Sequence, residues 1–245
     1  MFHRTYVAML LLPLVVGHAG CSKESADPAP GLKARSLPKA GAEVVLDFEK
    51  AEPQKTPPDF TAALTAGGGP VSWVVVEDPS APAGPKVLAQ TSKDDTNRRY
   101  PVCVYDKLVA KDVDVSVRFK PVSGEVDQAA GLVWRFRDKD NYYIVRANAL
   151  EDNVVLYKVE RGVRTDLKVQ GQSGGYGVKA PVPNGQWSTL RVTAVGDSFE
   201  VFLNDRKLFD VRDATFTEAG KAGVWTKADS VTHFDQLKII SLDQR

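Results

Sequence analysis

Six side chains between positions 135 and 158 are of types that do chemistry on a polar ligand: Arg135, Arg137, Tyr142, Arg146, Asn148 and Lys158. Tyrosine offers a flat ring and a hydroxyl; arginine, lysine and asparagine offer hydrogen-bond donors. Together they suit sugar hydroxyls or carboxylates. Their alternation with apolar residues puts them on one face of adjacent strands. Leu132, Trp134 and Phe136 point one way, and Val133, Arg135 and Arg137 the other. Tyr143, Val145 and Ala147 oppose Tyr142, Ile144, Arg146 and Asn148 in the next stretch. In the third, Val155, Tyr157 and Val159 oppose Val154, Leu156, Lys158 and Glu160. The wholly apolar sets are read as an inter-sheet core and the mixed sets as a face open to a ligand. A loop at 138–141 then sets Arg137 opposite Tyr142 and Arg135 opposite Ile144. The same face would also serve as a solvated surface with long side chains lying over its isoleucine and leucine.

Strands must position these groups, because no stretch from residue 43 onward keeps a helical period. Alternation predicts strands at 43–48, 71–77, 87–91, 99–105, 113–121, 131–137, 142–148, 153–160, 166–169, 188–195, 198–203, 207–211, 222–226 and 233–241. Turn residues punctuate them, as at Gly67 to Pro70, Pro79 to Pro85, Ser173 to Gly175 and Pro183 to Gly185. Many short strands with such punctuation predict an all-β antiparallel sandwich or barrel.

Composition narrows the function classes. Lys and Arg number 32 against 31 Asp and Glu, a net charge of +1, which argues against a nucleic-acid partner. There are two cysteines, Cys21 and Cys103, too few for a disulfide framework once Cys21 is used elsewhere. Cys103 reads as a small buried hydrophobe in a strand. His233 is the one histidine after the N-terminal segment, so a His-rich zinc site is excluded and a structural role is expected. No Ser-His-Asp ordering or Cys-x-x-Cys pair stands out. Gly67 to Gly69 precede a strand rather than a helix, so they form no phosphate loop.

The N-terminus reads as an export signal over 1–21: Arg4, an apolar run of about eleven residues, then small residues up to Cys21. The run is too short to span a bilayer as a helix. Ala19-Gly20-Cys21 resembles a bacterial lipobox, with His18 where a leucine-like residue is usual. That implies lipidation of Cys21 and, from Ser22, sorting to the outer membrane; cleavage into the periplasm is the alternative. Residues 22–42 are rich in Ser, Ala, Pro, Gly and charge and read as a disordered tether, spanning roughly 25 Å by random-coil scaling. The remaining stretch, 43–245, is long enough for one all-β domain.

Several motifs carry a further resemblance. They are Ala130 to Arg146, Glu151 to Tyr157, Trp187 to Arg191, Val201 to Phe209, and Gly223 to Asp235. In this order they resemble concanavalin A-like/laminin-G-like sandwiches, specifically the bacterial 3-keto-disaccharide hydrolase (3-keto-glucoside lyase/hydratase) domain. The resemblance covers about residues 43–241. It implies a two-sheet jelly roll with first and last strands paired. It also implies a structural calcium ion near that seam, for which Asp47, Glu49 and Asp235 have the oxygen ligands.

The chemistry implied is base removal of the C2 proton of a 3-keto sugar, with a cation holding the enolate. Arg135, Arg137, Arg146 and Lys158 are candidate cations, and Asp138, Asp140, Glu151 or Asp152 candidate bases. The two-carboxylate pattern of family 16 glycoside hydrolases begins at Glu125 and Asp127 but ends on Ala130, so it is read as chance. Trp225 is expected in the core, with 226–230 a loop that could rim a site. The expected function is carbohydrate recognition at the cell envelope by a monomer that meets the membrane through its lipid anchor only. The alternatives are a 3-keto-glycoside lyase and a structural or protein-interaction domain.

Overall fold

The computed structural model describes residues 41–243; residues 1–21, expected as an export segment, and all but the last two residues of the expected tether at 22–42 lie outside that range. Two antiparallel sheets pack face to face, and no helix occurs among the described residues. The first sheet contains β1 (Glu43–Leu46), β3 (Trp73–Glu77), β4 (Lys86–Gln90), β6 (Val113–Ser123), β12 (Ser188–Val195), β13 (Ser198–Leu203), β14 (Arg206–Arg212) and β16 (Val231–Ser241). The second contains β2 (Phe60–Ala66), β5 (Arg99–Tyr105), β7 (Ala129–Asp138), β8 (Asn141–Asn148), β9 (Asn153–Glu160), β10 (Val163–Asp166), β11 (Val178–Lys179) and β15 (Lys221–Trp225). The second sheet runs β10-β9-β8-β7-β15-β5-β2, with β11 also on β9. First and last strands pair as expected, Glu43 opposite Ile240 and Leu46 opposite Leu237.

The strands that alternation missed have weak patterns. β2 reads Phe-Thr-Ala-Ala-Leu-Thr-Ala, with too little bulk to reveal its faces, and is held by pairing to β5. β10 follows β9 through a tight turn at Arg161 and Gly162, both at positive φ, as a two-residue hairpin requires. It therefore starts earlier than the 166–169 expected, of which Asp166 ends β10 opposite Tyr157 and Val169 makes an isolated bridge to Val211.

The inter-sheet core holds Leu132 and Trp134 of β7, Tyr143, Val145 and Ala147 of β8, and Val154 and Leu156 of β9. The face expected for β9 is thus reversed: Val155, Tyr157 and Val159 lie on the outer side of the second sheet. Register decides this, since Arg146 pairs with Val155 and Ile144 with Tyr157, and paired residues share a face. The outer side is itself apolar and buried, with Tyr100, Val102, Val133, Phe136, Tyr142, Ile144 and Trp225 joining those three. Cys103 faces the inter-sheet core, where burial pushes its thiol well above the ordinary range, in keeping with a packing role.

A bulge in β7 makes the second correction. The strands run on into the expected loop, with Asp138 opposite Asn141, and the register slips beyond that pair, so Trp134 meets Tyr143, and Val133 rather than Arg135 meets Ile144. The extra residues include Arg135, at φ 47°. Arg135 is thereby turned away from Arg146 and toward the inter-sheet layer, 5.6 Å from the Phe199 ring centre. Its guanidinium donates to the carbonyls of Lys111 (2.8 Å), Phe216 (2.7 Å) and Gly196 (2.6 Å) and to Asp112 (3.2 Å). It is a clamp across three connections. Arg135→Met is expected to lower stability by about 3 kcal/mol, since it strands buried carbonyls. Chemical denaturation checks this, and an unchanged midpoint would remove the clamp role.

Candidate functional site

The outer side of the second sheet carries a polar network at one end of its aromatic layer. β8 supplies Arg146 and Asn148, two residues apart and so on one face. The hairpin after it supplies Glu151, and β9 supplies Asn153, directly opposite Asn148. Asp127 arrives from the segment before β7, and Lys227 from the segment after β15. Gly131 sits between Arg146 and Trp225 in the cross-strand row. A Cβ there would stand 3.1 Å from both the Trp225 ring and Ile144, so glycine lets the indole lie against the sheet.

Every partner in the network is charged or an amide. The Arg146 Nη2 donates to Glu151 Oε2 (2.8 Å) and Asn153 Oδ1 (2.7 Å). Asn148 Nδ2 donates to Asp127 Oδ1 (2.7 Å) and Glu151 Oε1 (3.0 Å). Lys227 Nζ donates to Asp127 Oδ2. Arg146, Asn148 and Asp127 are buried, whereas Glu151 is 38% exposed and opens the network to solvent. Asp229 fixes the approach of Asp127 by accepting the amides of Glu125, Val126 and Asp127. Beside it a cleft of about 290 Å³ is lined by Lys93, Asp95, Ser123, Gly124, Glu125 and Asp229.

The two carboxylates of the network differ electrostatically. Burial raises the Asp127 carboxyl above its ordinary value, against the pull of Lys227. Burial also acts to raise Glu151, but the Arg146 hydrogen bond and charge, helped by Asn153 and Lys227, bring it below its ordinary value.

Aromatic rings continue the site along the same face. Tyr157 lies opposite Ile144 on β9, and its hydroxyl is hydrogen-bonded to that of Tyr176, which is 47% exposed. The Arg146 guanidinium lies 5.8 Å from the Tyr157 ring centre and 5.7 Å from that of Tyr176. Arg164 of β10 lies 4.4 Å from the Tyr157 ring, 4.7 Å from Tyr100 and 5.8 Å from Trp225. Tyr100 and Trp225 are themselves stacked, with ring centres 5.6 Å apart.

Of the six residues singled out from sequence, the structure brings Arg146 and Asn148 together. Tyr142 shares their face but is fully buried, with its hydroxyl on Thr65 (2.8 Å). Arg137 is exposed beside the β7–β8 tip. Lys158 points to the other side of β9, onto Thr215 (2.7 Å), and Arg135 is held in its clamp. Among the candidate bases, Glu151 enters the network. Asp138 caps its own turn through the Asp140 amide, and Asp152 accepts the Val182 amide.

Sequence reasoning missed Asp127, Lys227, Asn153, Tyr157, Tyr176 and Arg164. A parity signal did exist. Asp127, Ala129 and Gly131 alternate onto the face of Arg146, as Trp225 and Lys227 do from the other side. Trp225 is buried as expected, but in the outer layer rather than between the sheets.

Asp47, Glu49 and Asp235, the residues expected to hold calcium, lie near the seam of first and last strands. Their carboxylates are turned to backbone amides, however. Asp47 accepts the Glu49 amide, Glu49 that of Lys86, and Asp235 those of Ala83 and Gln236. Burial raises the Asp235 carboxyl, with Glu49 and Asp47 adding to the effect. Among the described residues no group of three or more His, Cys, Asp or Glu converges as metal ligands. His233 lies on the first sheet, bonded to Asp78 (2.8 Å), which also pairs with Lys120 and so ties the 78–85 loop down.

Comparison with known proteins places this geometry in a family. The chain is similar to a carbohydrate-binding module of Bacillus subtilis, with a TM-score of 0.55 and 21% identity over 74% of this chain and 94% of that one. It is also similar to domain 4 of an extracellular arabinanase of Geobacillus stearothermophilus, solved with arabinotriose, at a TM-score of 0.50 and 15% identity over 84% and 94% of the two chains. These likenesses bear on fold. A levanase of Bacillus subtilis strain 168 is 30% identical over 102 residues, which is 40% of this chain but only 14% of the levanase. The model of the 3-keto-alpha-glucoside-1,2-lyase-like domain matches residues 61–240, which include all of the polar network, and the chain belongs to that family.

Proposed function

We propose that the domain binds a saccharide on the outer side of its second sheet, at the network of Asp127, Arg146, Asn148, Glu151, Asn153 and Lys227. The observation that carries this is a buried carboxylate, Asp127, with buried amides and cations beside tyrosine rings, open to solvent at Glu151 and Tyr176. Sugar rings need both an apolar plane and convergent donors and acceptors. The carbohydrate-binding folds to which the chain is similar agree with the reading. Arg146→Met, tested with the full chain on a glycan array with and without calcium, is expected to reduce retention at least about tenfold. Equal retention by both forms would move the binding site elsewhere.

A second reading, elimination on a 3-keto disaccharide, is favoured by the raised Asp127 carboxyl beside Lys227 and by family membership. Asp127 would take the C2 proton. The freed pair of electrons forms an enolate reaching the C3 oxygen, which Lys227 stabilises. Collapse restores the C3 carbonyl, forms the C1–C2 double bond and expels the C1 oxygen, which takes a proton from Asp127. The cleft beside Asp229 gives the departing ring a place. Because the base must be ionised, turnover rises with pH through the raised Asp127 value. Asp127→Asn is expected to abolish turnover of 3-keto disaccharides, read by mass spectrometry at saturating substrate. Turnover that survives this change eliminates Asp127 as the base.

Export and membrane anchoring through Cys21 are part of the same proposal, supported by the apolar run and the lipobox-like tripeptide. Cys21→Ser is expected to abolish labelling by a fatty-acid analogue in a bacterial host. Persistent labelling would place the lipid elsewhere.

A further inference from the structure

Arg164 has an arrangement that the network around Arg146 does not explain. Its guanidinium lies against Tyr157, Tyr100 and Trp225, yet its Nη1 is buried with no hydrogen-bond partner. No carboxylate of the described residues forms an ion pair with it, although Asp166 follows two positions on along β10. Arg146, by contrast, is neutralised by Glu151, but its Nε is likewise buried and unpartnered. Both guanidiniums flank one ring, that of Tyr157.

An unmet buried N–H costs about 1–3 kcal/mol, and more where the group is charged. Ring faces offset part of an arginine's charge but cannot accept at its N–H edge. The edge therefore calls for oxygen acceptors in the guanidinium plane. A sugar hydroxyl supplies one acceptor and no charge. A carboxylate supplies two coplanar oxygens and the missing negative charge. The cations here, Arg146, Arg164 and Lys227, outnumber the carboxylates Glu151 and Asp127, the second of which is driven toward its neutral form.

We infer that Arg164 reads a carboxylate on the ligand, so that the saccharide bound at this site is an acidic one bearing a uronate. The inference rests on the saccharide reading of the same face and narrows it. Arg164 sits on β10, the edge strand of the second sheet, paired along one side to β9, and is itself only partly buried. The tyrosine pair Tyr157 and Tyr176 then separates two arginines, one held by the protein's own carboxylate and one left for the ligand's.

The test uses the full chain and disaccharides in matched pairs, glucosyl and glucuronosyl, with the methyl ester of each glucuronosyl member as a third probe. Calorimetry is expected to show the glucuronosyl member binding at least about tenfold tighter, with the preference shrinking as salt rises. The ester, which keeps the shape but not the charge, should bind like the neutral member. Arg164→Met should remove the preference, while Arg164→Lys keeps part of it. Equal affinity within each pair, or a preference that survives esterification or Arg164→Met, overturns the inference and leaves the saccharide reading standing. Failure of every member to bind overturns both. The ester comparison needs no altered protein, so the question is decided even if Arg164→Met does not fold.

Discussion

A sheet buried on both faces has no water to spare for its polar side chains, and this constraint governs the second sheet. Its strands β7 to β9 contribute to the inter-sheet core on one side and to a separate aromatic layer on the other. Each donor or acceptor placed there must be paired within the protein or by a ligand. Most are paired within the protein, Tyr142 with Thr65, Asn148 with Asp127, Arg146 Nη2 with Glu151 and Asn153, and Arg135 with three carbonyls, while Arg146 Nε and Arg164 Nη1 are left without a partner. The first sheet obeys a looser rule. On its outer side Arg191 binds Asp114 and Lys207 binds Glu200 and Asp210, where the lysine pairs are largely solvated and add little to stability. Chemistry that depends on low dielectric therefore belongs to the second sheet.

The division between legible and illegible features follows from range. Alternation within one strand is local, so most strands were readable from residue types alone, while the pairing of β1 with β16 came from the family resemblance. The facing of β9 was not, because Val154, Val155, Leu156 and Tyr157 are apolar in both parities. Only its register to β8, fixed by the loop between them, decides which pair turns inward. Arg135 illustrates the same limit. Nothing in Trp134-Arg135-Phe136 marks a bulge, since the positive φ at Arg135 is sustained by carbonyls from positions 111, 196 and 216.

Half of the candidate site was legible for the same reason. Arg146 and Asn148 lie on one strand and announce themselves by spacing. Asp127 and Lys227 are joined across 100 residues of sequence, and each looks unremarkable alone. Asp127 was even hidden by a false analogy, the two-carboxylate pattern that stops at Ala130. Its importance comes from the alternation Asp127, Ala129, Gly131, which carries it onto the Arg146 face. Arg164 is obscured further, because β10 shows no alternation that separates its faces: Val163, Thr165 and Asp166 are all exposed.

Two carboxylates in one network with opposite shifts give the site a division of labour. Glu151 is held ionised by Arg146, so it contributes stability above the ordinary carboxylate range and loses it as pH falls through its lowered value. Asp127 is raised, so its contribution is present at low pH and is lost as pH rises through its raised value. The first is thus a fixed counter-charge, and the second a group that exchanges its proton closer to neutrality. Ionising Asp127 strengthens its attraction to Lys227 and withdraws that cation from any incoming oxygen. Protonating it loosens Lys227 toward the ligand. Affinity for a ligand oxygen and the basicity needed for proton removal therefore pull Asp127 in opposite directions.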